Sequence, residues 1–325
     1  MEYRKLGKTP ISISRIGFGG GPAGGHDYGP VDEAEWKSAV HAALDAGVNL
    51  FDVANVYGLG RVEELLSQAL GERRHEVVIA TKCGLVWDRY RKVHRDLSSG
   101  AIMRSLEGSL RRLRVDCIPL YQIHWPDPAT PIEETIETLA TSRAQGKFRF
   151  LGVSNFPLDL MRRVHTILPI VSQQIAFNLL CREPEEEIFP WCTSSKVSIV
   201  AHSGLAQGLL AGRRTIGGGV DINDVRRRSP YFSERDRREK QGVLDAVRLL
   251  SDELGRPFSA VSLRWVLDNP EVGAVLVGIK NRRQLADNLQ AVSWQLSPEE
   301  RENLNYLSSL CPHGLAGTPA HSAAN

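Results

Sequence analysis

A single (β/α)8 barrel, an α/β fold with an N-terminal β-hairpin cap and an extra C-terminal helix, is the fold class that this sequence predicts. Three observations predict it. Eight short β-rich runs alternate along the chain with longer amphipathic helical segments. The 325 residues suit one large barrel, a fold that takes about 250 residues or more as one domain. No linker composition divides the chain, so residues 1–325 are expected to form one domain.

In chain order, YRKLGKTPISIS sets a GKTP turn between two short alternating segments, which predicts a hairpin over residues 1–14 that plugs the barrel floor. The barrel strands follow as RIGFGG (15–20), NLFDVA (49–54), VVIAT (77–81) and CIPLYQIH (117–124). FRFLGVS (148–154), VSQQI (171–175), VSIVAHS (197–203) and VGAVLVG (272–278) complete the eight. Helical spacing fills the intervals, as over 32–47, 60–72, 131–146 and 282–292, often stopping at glycine. Eight such repeats point to a closed parallel barrel rather than an open sheet. Two connections, 83–97 and 204–236, exceed a plain strand-to-helix loop and are expected to build the substrate pocket. Residues 297–310 read as one more helix and 311–325 as a mobile tail.

Composition narrows the function. Forty Lys and Arg against 38 Asp and Glu leave a formal charge of +2, too small a field to draw nucleic acid or a membrane surface. A small molecule is the expected partner, and a monomer is compatible with the sequence. Five cysteines form no CxxC pair and fit reduced thiols, hence a cytoplasmic protein. MEYRKLGKTP has no apolar run behind its charges, which argues against a secretory signal. The least polar long stretch, 197–212, still carries His202, Ser203 and Gln207 and makes a poor membrane span.

In a barrel, polar residues that end an apolar strand face the active-site mouth. NLFDVANVYG, VIATKCG and YQIHWPDP supply Asp52 with Tyr57, then Lys82, then His124. Each has a plain structural alternative: a helix cap for Asp52, loop packing for Tyr57, a satisfied polar group for Lys82 and His124. Four such types on three successive strand ends suit carbonyl reduction instead. Hydride addition builds negative charge on oxygen, and a phenol of pKa about 10 keeps a proton to give it. Lys82 would favour the phenolate, Asp52 would keep Lys82 charged and fixed, and His124 would polarise the carbonyl.

DVANVYG, TKCG and YQIHWPDP resemble the motif set of the aldo-keto reductases, which reduce carbonyls with NADPH on a TIM barrel, and the likeness runs nearly end to end. The resemblance implies Tyr57 as general acid, Lys82 and Asp52 as its tuning pair and His124 as substrate-orienting group. It also implies a nicotinamide site at Ser154, Asn155 and Gln174, and a pyrophosphate site at Ser203, Leu205, Gln207 and Gly208. His202 would lie under the nicotinamide, with Gly278, Lys280, Arg283, Gln284 and Asn288 at the adenosine end. There the N-terminus of the last barrel helix favours an anion, so NADPH is expected ahead of NADH. The family usually reads YSPL where this chain has His202, Ser203, Gly204 and Leu205. Weaker stacking and a looser turn follow as expectations. Lys280 stands where arginine is common, and an ammonium grips phosphate without the guanidinium fork.

Trp87, Trp125, Tyr28, Tyr231 and Phe232 are expected to wall the substrate pocket, suiting an apolar or ring-shaped carbonyl. GFGGGPAGG (17–25) lacks the helix that a dinucleotide fingerprint needs and reads as a loop at the pocket rim. RRRSPYFSERDRR (226–238) is diluted by acids and reads as a solvated loop. Neither HxH nor HExxH occurs, so no metal site is expected. The competing functions are a catalytically weak, cofactor-binding regulatory subunit, similar to potassium-channel β subunits, and a glycosidase. The glycosidase ranks last because no acid pair stands at the fourth and seventh strand ends.

Overall fold

A computed structural model describes residues 1–25, 28–212, 224–232 and 237–311. The expected tail beyond Cys311 and residues 213–223 and 233–236 of the second long loop lie outside the described residues. The strands run β1 (Tyr3–Lys5), β2 (Ser12–Ser14), β3 (Ile16–Gly19), β4 (Leu50–Asp52), β5 (Val78–Cys83), β6 (Leu85–Trp87) and β7 (Val93–Arg95). β8 (Ile118–Ile123), β9 (Phe148–Ser154), β10 (Ile170–Ala176), β11 (Ser198–His202) and β12 (Val272–Gly278) follow. The helices are α1 (Glu33–Asp45), α2 (Arg61–Leu70), α3 (Ser99–Leu113), α4 (Ile132–Ala144) and α5 (Leu158–Ile167). They continue as α6 (Ile188–Ser195), α7 (Arg237–Leu254), α8 (Phe258–Asp268), α9 (Arg282–Leu289) and α10 (Pro298–Ser309).

β3, β4, β5, β8, β9, β10, β11 and β12 close into a barrel in that order, with β12 pairing back onto β3, and all pairs are parallel. These are the eight runs expected from the sequence. Helices cover the outside because the outward residues of each strand are apolar too, as a parallel sheet buried on both faces requires. Sequence chemistry starts the helices: the Asp32 carboxylate accepts from Ala34 and Glu35 N–H at 2.8 and 3.1 Å, and Ser297 with Glu300 forms a capping box before Pro298 in α10.

β1 and β2 form the expected hairpin. Leu6, just after β1, and Ile13 of β2 pack with Leu50, Val78, Leu120, Val200 and Ala274, which closes the barrel floor with apolar side chains. A second cluster fills the layer between strands and helices, with Phe18 against Trp36 and Phe51, and Phe177 against Trp265. The connection 83–97 is more ordered than a loop. β6 and β7 pair as an antiparallel hairpin whose turn is held by the Asp88 carboxylate, which accepts from Tyr90 and Lys92 N–H at 2.8 and 2.9 Å.

Candidate active site

The barrel mouth gathers the carboxyl ends of β4, β5, β8, β9, β10 and β11 around one cavity of about 800 Å³, within the range of small-molecule sites. Lys82 lies at its base, 0% exposed, and donates to Asp52 Oδ1 and to the Val53 carbonyl, the latter at 2.9 Å. Burial pulls the ammonium below its usual pKa, and Asp52 opposes that by charge and hydrogen bond. The Asp52 carboxylate also accepts, at Oδ2, from Gln174 Nε2 at 2.8 Å and Gln122 Nε2 at 3.1 Å. Both oxygens therefore have donors.

Tyr57 stands above this pair. Its ring centroid is 5.3 Å from Lys82 Nζ and 5.8 Å from the His124 ring, which meets it edge-on at 84°. A left-handed backbone at Gly58, Leu59 and Gly60 turns the chain sharply from Tyr57 into α2. The GFGGGPAGG run is what lets that turn fit. A Cβ on Gly24 would fall 2.8 Å from Gly58 N, and Gly21 lies under the Tyr57 ring. Residues Gly21–Gly24 thus form a tight 3-10 turn at the rim, where Gly19, Gly21 and Pro22 border the cavity. The strand bearing Lys82 is anchored from behind: Thr81 Oγ1 donates to the buried Glu63 at 2.6 Å, and Arg112 pairs with the same carboxylate at 2.7 Å.

Asn155 has φ of 60°, a left-handed conformation asparagine tolerates. Its Nδ2 donates to the His124 carbonyl at 3.1 Å and to Ser154 Oγ at 2.9 Å, which leaves Oδ1 to accept from His202 Nε2 at 2.9 Å. That contact puts the His202 proton on Nε2, so Nδ1 accepts from the Ser203 hydroxyl at 3.0 Å. Burial, with the Lys82 charge second, pushes the imidazole pKa down to about 4. His202 is a neutral ring fixed at both nitrogens, not a loosened shelf. Gly204 corrects the expected looseness as well. A Cβ there would lie 2.6 Å from Val275 Cγ2 and 3.3 Å from Leu263 Cδ2, so the glycine serves close packing of the turn on β12 and α8.

Beyond Gly204, Leu205 leads into left-handed backbone at Ala206, Gln207 and Gly208. Within this turn Ala206 and Gly208 N–H donate to the Ser203 and Leu205 carbonyls at 2.7 and 2.8 Å, so the left-handed backbone gives the cavity wall a fixed shape here. Gln207 Oε1 is buried without a hydrogen-bond partner among the described residues and belongs to the cavity wall. An elongated ligand with a diphosphate and amide groups, as a nicotinamide dinucleotide is, fits these features.

At the far end, Gly278, Lys280, Gln284 and Asn288 border the cavity and Arg283 does not. Helical spacing explains it: Gln284, Asp287 and Asn288 share one face of α9, and Arg283 points to solvent. Lys280 Nζ donates to the Tyr28 carbonyl at 2.6 Å and reaches those of Gly29 and Pro30 at 3.4 Å. Arg226 also borders the cavity, ion-paired with Asp224.

Of the expected pocket aromatics, Tyr28, Trp125 and Tyr231 border the cavity, whereas Trp87 and Phe232 do not. Trp87 is held in the β6–β7 hairpin opposite Val93, and Phe232 packs on the outer core. Tyr231 is 3% exposed, accepts from Asn178 Nδ2 at 3.1 Å, and has its phenol pushed up by burial. Gln122, Asp287 and Arg226 are absent from the sequence-based set. Gln122 was findable, because it stands two residues before His124 and shares its strand face. Among the described residues no group of three His, Cys, Asp or Glu could hold a metal, and no helix is long and apolar enough to cross a membrane.

A parallel barrel with this cluster at its mouth and a long cavity beside it defines a nicotinamide-type oxidoreductase of small carbonyls. The chain belongs to the aldo/keto reductase family, whose profile matches residues 15–308. It is 34% identical over 308 residues to the aldo-keto reductase YhdN of Bacillus subtilis, covering 94% of this chain and 93% of that one. It is 30% identical to an NADH-specific methylglyoxal reductase of Escherichia coli, covering 91% and 95%. Among solved structures, the glycerol dehydrogenase AKR11B4 from Gluconobacter oxydans superposes with a TM-score of 0.85 at 33% identity, covering 94% of each chain.

Proposed function

We propose that this protein reduces an aldehyde or ketone with NADPH, or runs the reverse oxidation, with Tyr57 as proton donor. The observation that carries the reading is Lys82, buried, tied to Asp52 and 5.3 Å from the centre of the Tyr57 ring. A bound nicotinamide supplies or takes up the hydride. Tyr57 gives its hydroxyl proton to the carbonyl oxygen as negative charge develops there, and the Lys82 charge stabilises the phenolate left behind. His124, edge-on to the phenol, is placed to polarise the same carbonyl. Asn155 and His202 fix the wall on which the cofactor's amide end would rest, and the turn at 205–208 would take its phosphates.

Lys280 and Arg226 at the adenosine end support NADP(H). NADH is the second reading, favoured by the engagement of both cations, Lys280 by carbonyls and Arg226 by Asp224, and by the nearby Asp287 carboxylate. Trp125, Tyr28 and Tyr231 support a ring-shaped or apolar carbonyl, and the five free thiols support a cytoplasmic location. A purely regulatory role is not favoured, because the close approach of Lys82 and His124 to Tyr57 supports turnover.

The test is turnover of aldehydes, cyclic ketones and keto-sugars with each cofactor by wild type and Tyr57→Phe. The variant should lose about a thousandfold or more in kcat while cofactor still quenches tryptophan fluorescence. Undiminished turnover by Tyr57→Phe removes the phenol from the mechanism.

A further inference from the structure

We propose that Gln122 is a positioning residue for the reductase chemistry: its side-chain amide holds the Asp52 carboxylate in the orientation that pins Lys82 beneath Tyr57. The inference rests on the reading above and gives a role to Gln122, which stands within YQIHWPDP two residues before His124.

Gln122 is 0% exposed and lies beneath the cavity rather than in its wall, so it cannot touch substrate. Register puts it directly between Lys82 on β5 and Gly152 on β9, with all three side-chain positions facing the barrel interior. Its Nε2 donates to Asp52 Oδ2 at 3.1 Å, and its Oε1 faces Gln174 Nε2 at 3.4 Å. The two amides form a pair on one side of the carboxylate, with the ammonium on the other. Gly152 makes the space: a Cβ there would fall 3.0 Å from Gln122 Cγ and 2.5 Å from Ser172 Oγ.

A buried carboxylate exchanges water for whatever donors the protein supplies, and a donor to a charged group contributes more than one to a neutral group. Gln174 reaches the cavity wall and is open to contact with a ligand, whereas Gln122 is sealed below it. Gln122 is therefore the donor that stays on Asp52 Oδ2 whatever occupies the cavity. Without it, Oδ2 keeps only Gln174, which a bound ligand can engage instead, and the Lys82 contact that tunes the phenol is less firmly held.

Two variants separate positioning from scaffold. Gln122→Met keeps the length and removes the donor. It should bind NADPH and NADH within about twofold of wild type, keep its melting temperature within a few degrees, and lose about tenfold in kcat with little change in KM. Gln122→Glu replaces the amide by a group that donates only when protonated. Its kcat should approach wild type near pH 5 and fall below it by pH 8, a limb absent from the wild-type profile. In the cofactor-free protein, carbon-13 NMR should find the carboxyl introduced by Q122E titrating well above the ordinary glutamate value of about 4.3, because it faces Asp52.

The proposal is overturned by wild-type kcat in Gln122→Met, by joint loss of cofactor affinity and melting temperature there, or by a Gln122→Glu profile parallel to wild type. If Gln122→Met does not fold, the Gln122→Glu profile decides. If wild type turns over no carbonyl, the function reading fails separately, and an ordinary carboxyl titration in Q122E still overturns the contact itself.

Discussion

His202 Nε2 donates to Asn155 Oδ1 at 2.9 Å, and Asn155 in turn donates to the His124 carbonyl at 3.1 Å, so the ends of β8, β9 and β11 are tied through one asparagine. The link fixes which His202 nitrogen carries the proton, while burial and the Lys82 charge hold the ring neutral.

Stability should depend on that neutrality. The His202 pKa is pushed down to about 4 from 6.5. Between those values the unfolded chain binds a proton that the folded chain refuses. The contribution is thus fully present above about pH 6.5 and is lost as pH falls toward 4, by up to about 3 kcal/mol. Denaturant unfolding at pH 7.5 and 4.5 should show a steeper loss in wild type than in His202→Gln, which has no proton to gain. Parallel losses in the two proteins would show that His202 titrates normally.

Gly204 should not tolerate a side chain. Because a Cβ would meet Val275 and Leu263, Gly204→Ala is expected to cost about 1–3 kcal/mol through overpacking, read by thermal melting. Gly204→Pro should cost at least as much, the opposite of what restoring the residue usual in relatives would suggest.

Removing Arg112 leaves a carboxylate with 0% side-chain exposure, Glu63, without its ion pair. Arg112→Ala should lose about 3–5 kcal/mol of stability, and Glu63→Gln with Arg112→Ala should recover part of it. A loss below about 1 kcal/mol in the single variant would show that water reaches Glu63.

Lys280→Met tests the cofactor preference. Under the NADP(H) reading, steady-state KM for NADPH rises about tenfold and that for NADH changes little. Equal rises for both would assign Lys280 to holding the Tyr28–Pro30 segment alone.

Much was legible in the sequence because the barrel repeats one pattern. Alternating strand and helix periods, glycine stops and polar residues at strand ends depend on local spacing, and they marked the eight strands and gathered Asp52, Tyr57, Lys82 and His124. Helix phase is the weaker signal at an element's first turn, which is why Arg283 was expected in a cavity that it turns away from while Asp287 was passed over. Trp87 and Phe232 failed for a related reason: an aromatic in a long loop is placed by what it packs on, and nothing in its own segment encodes that.

By itself the sequence determined the closed parallel barrel, its plugged floor and the four residues at its mouth, since each follows from periodicity along one segment. Tertiary structure alone decided that Gln122 and Gln174 share Asp52 with Lys82, that Gly204 is a packing requirement and that His202 is held neutral. Those are contacts between strands far apart in the chain, and their distances are set by barrel closure, which no single segment carries.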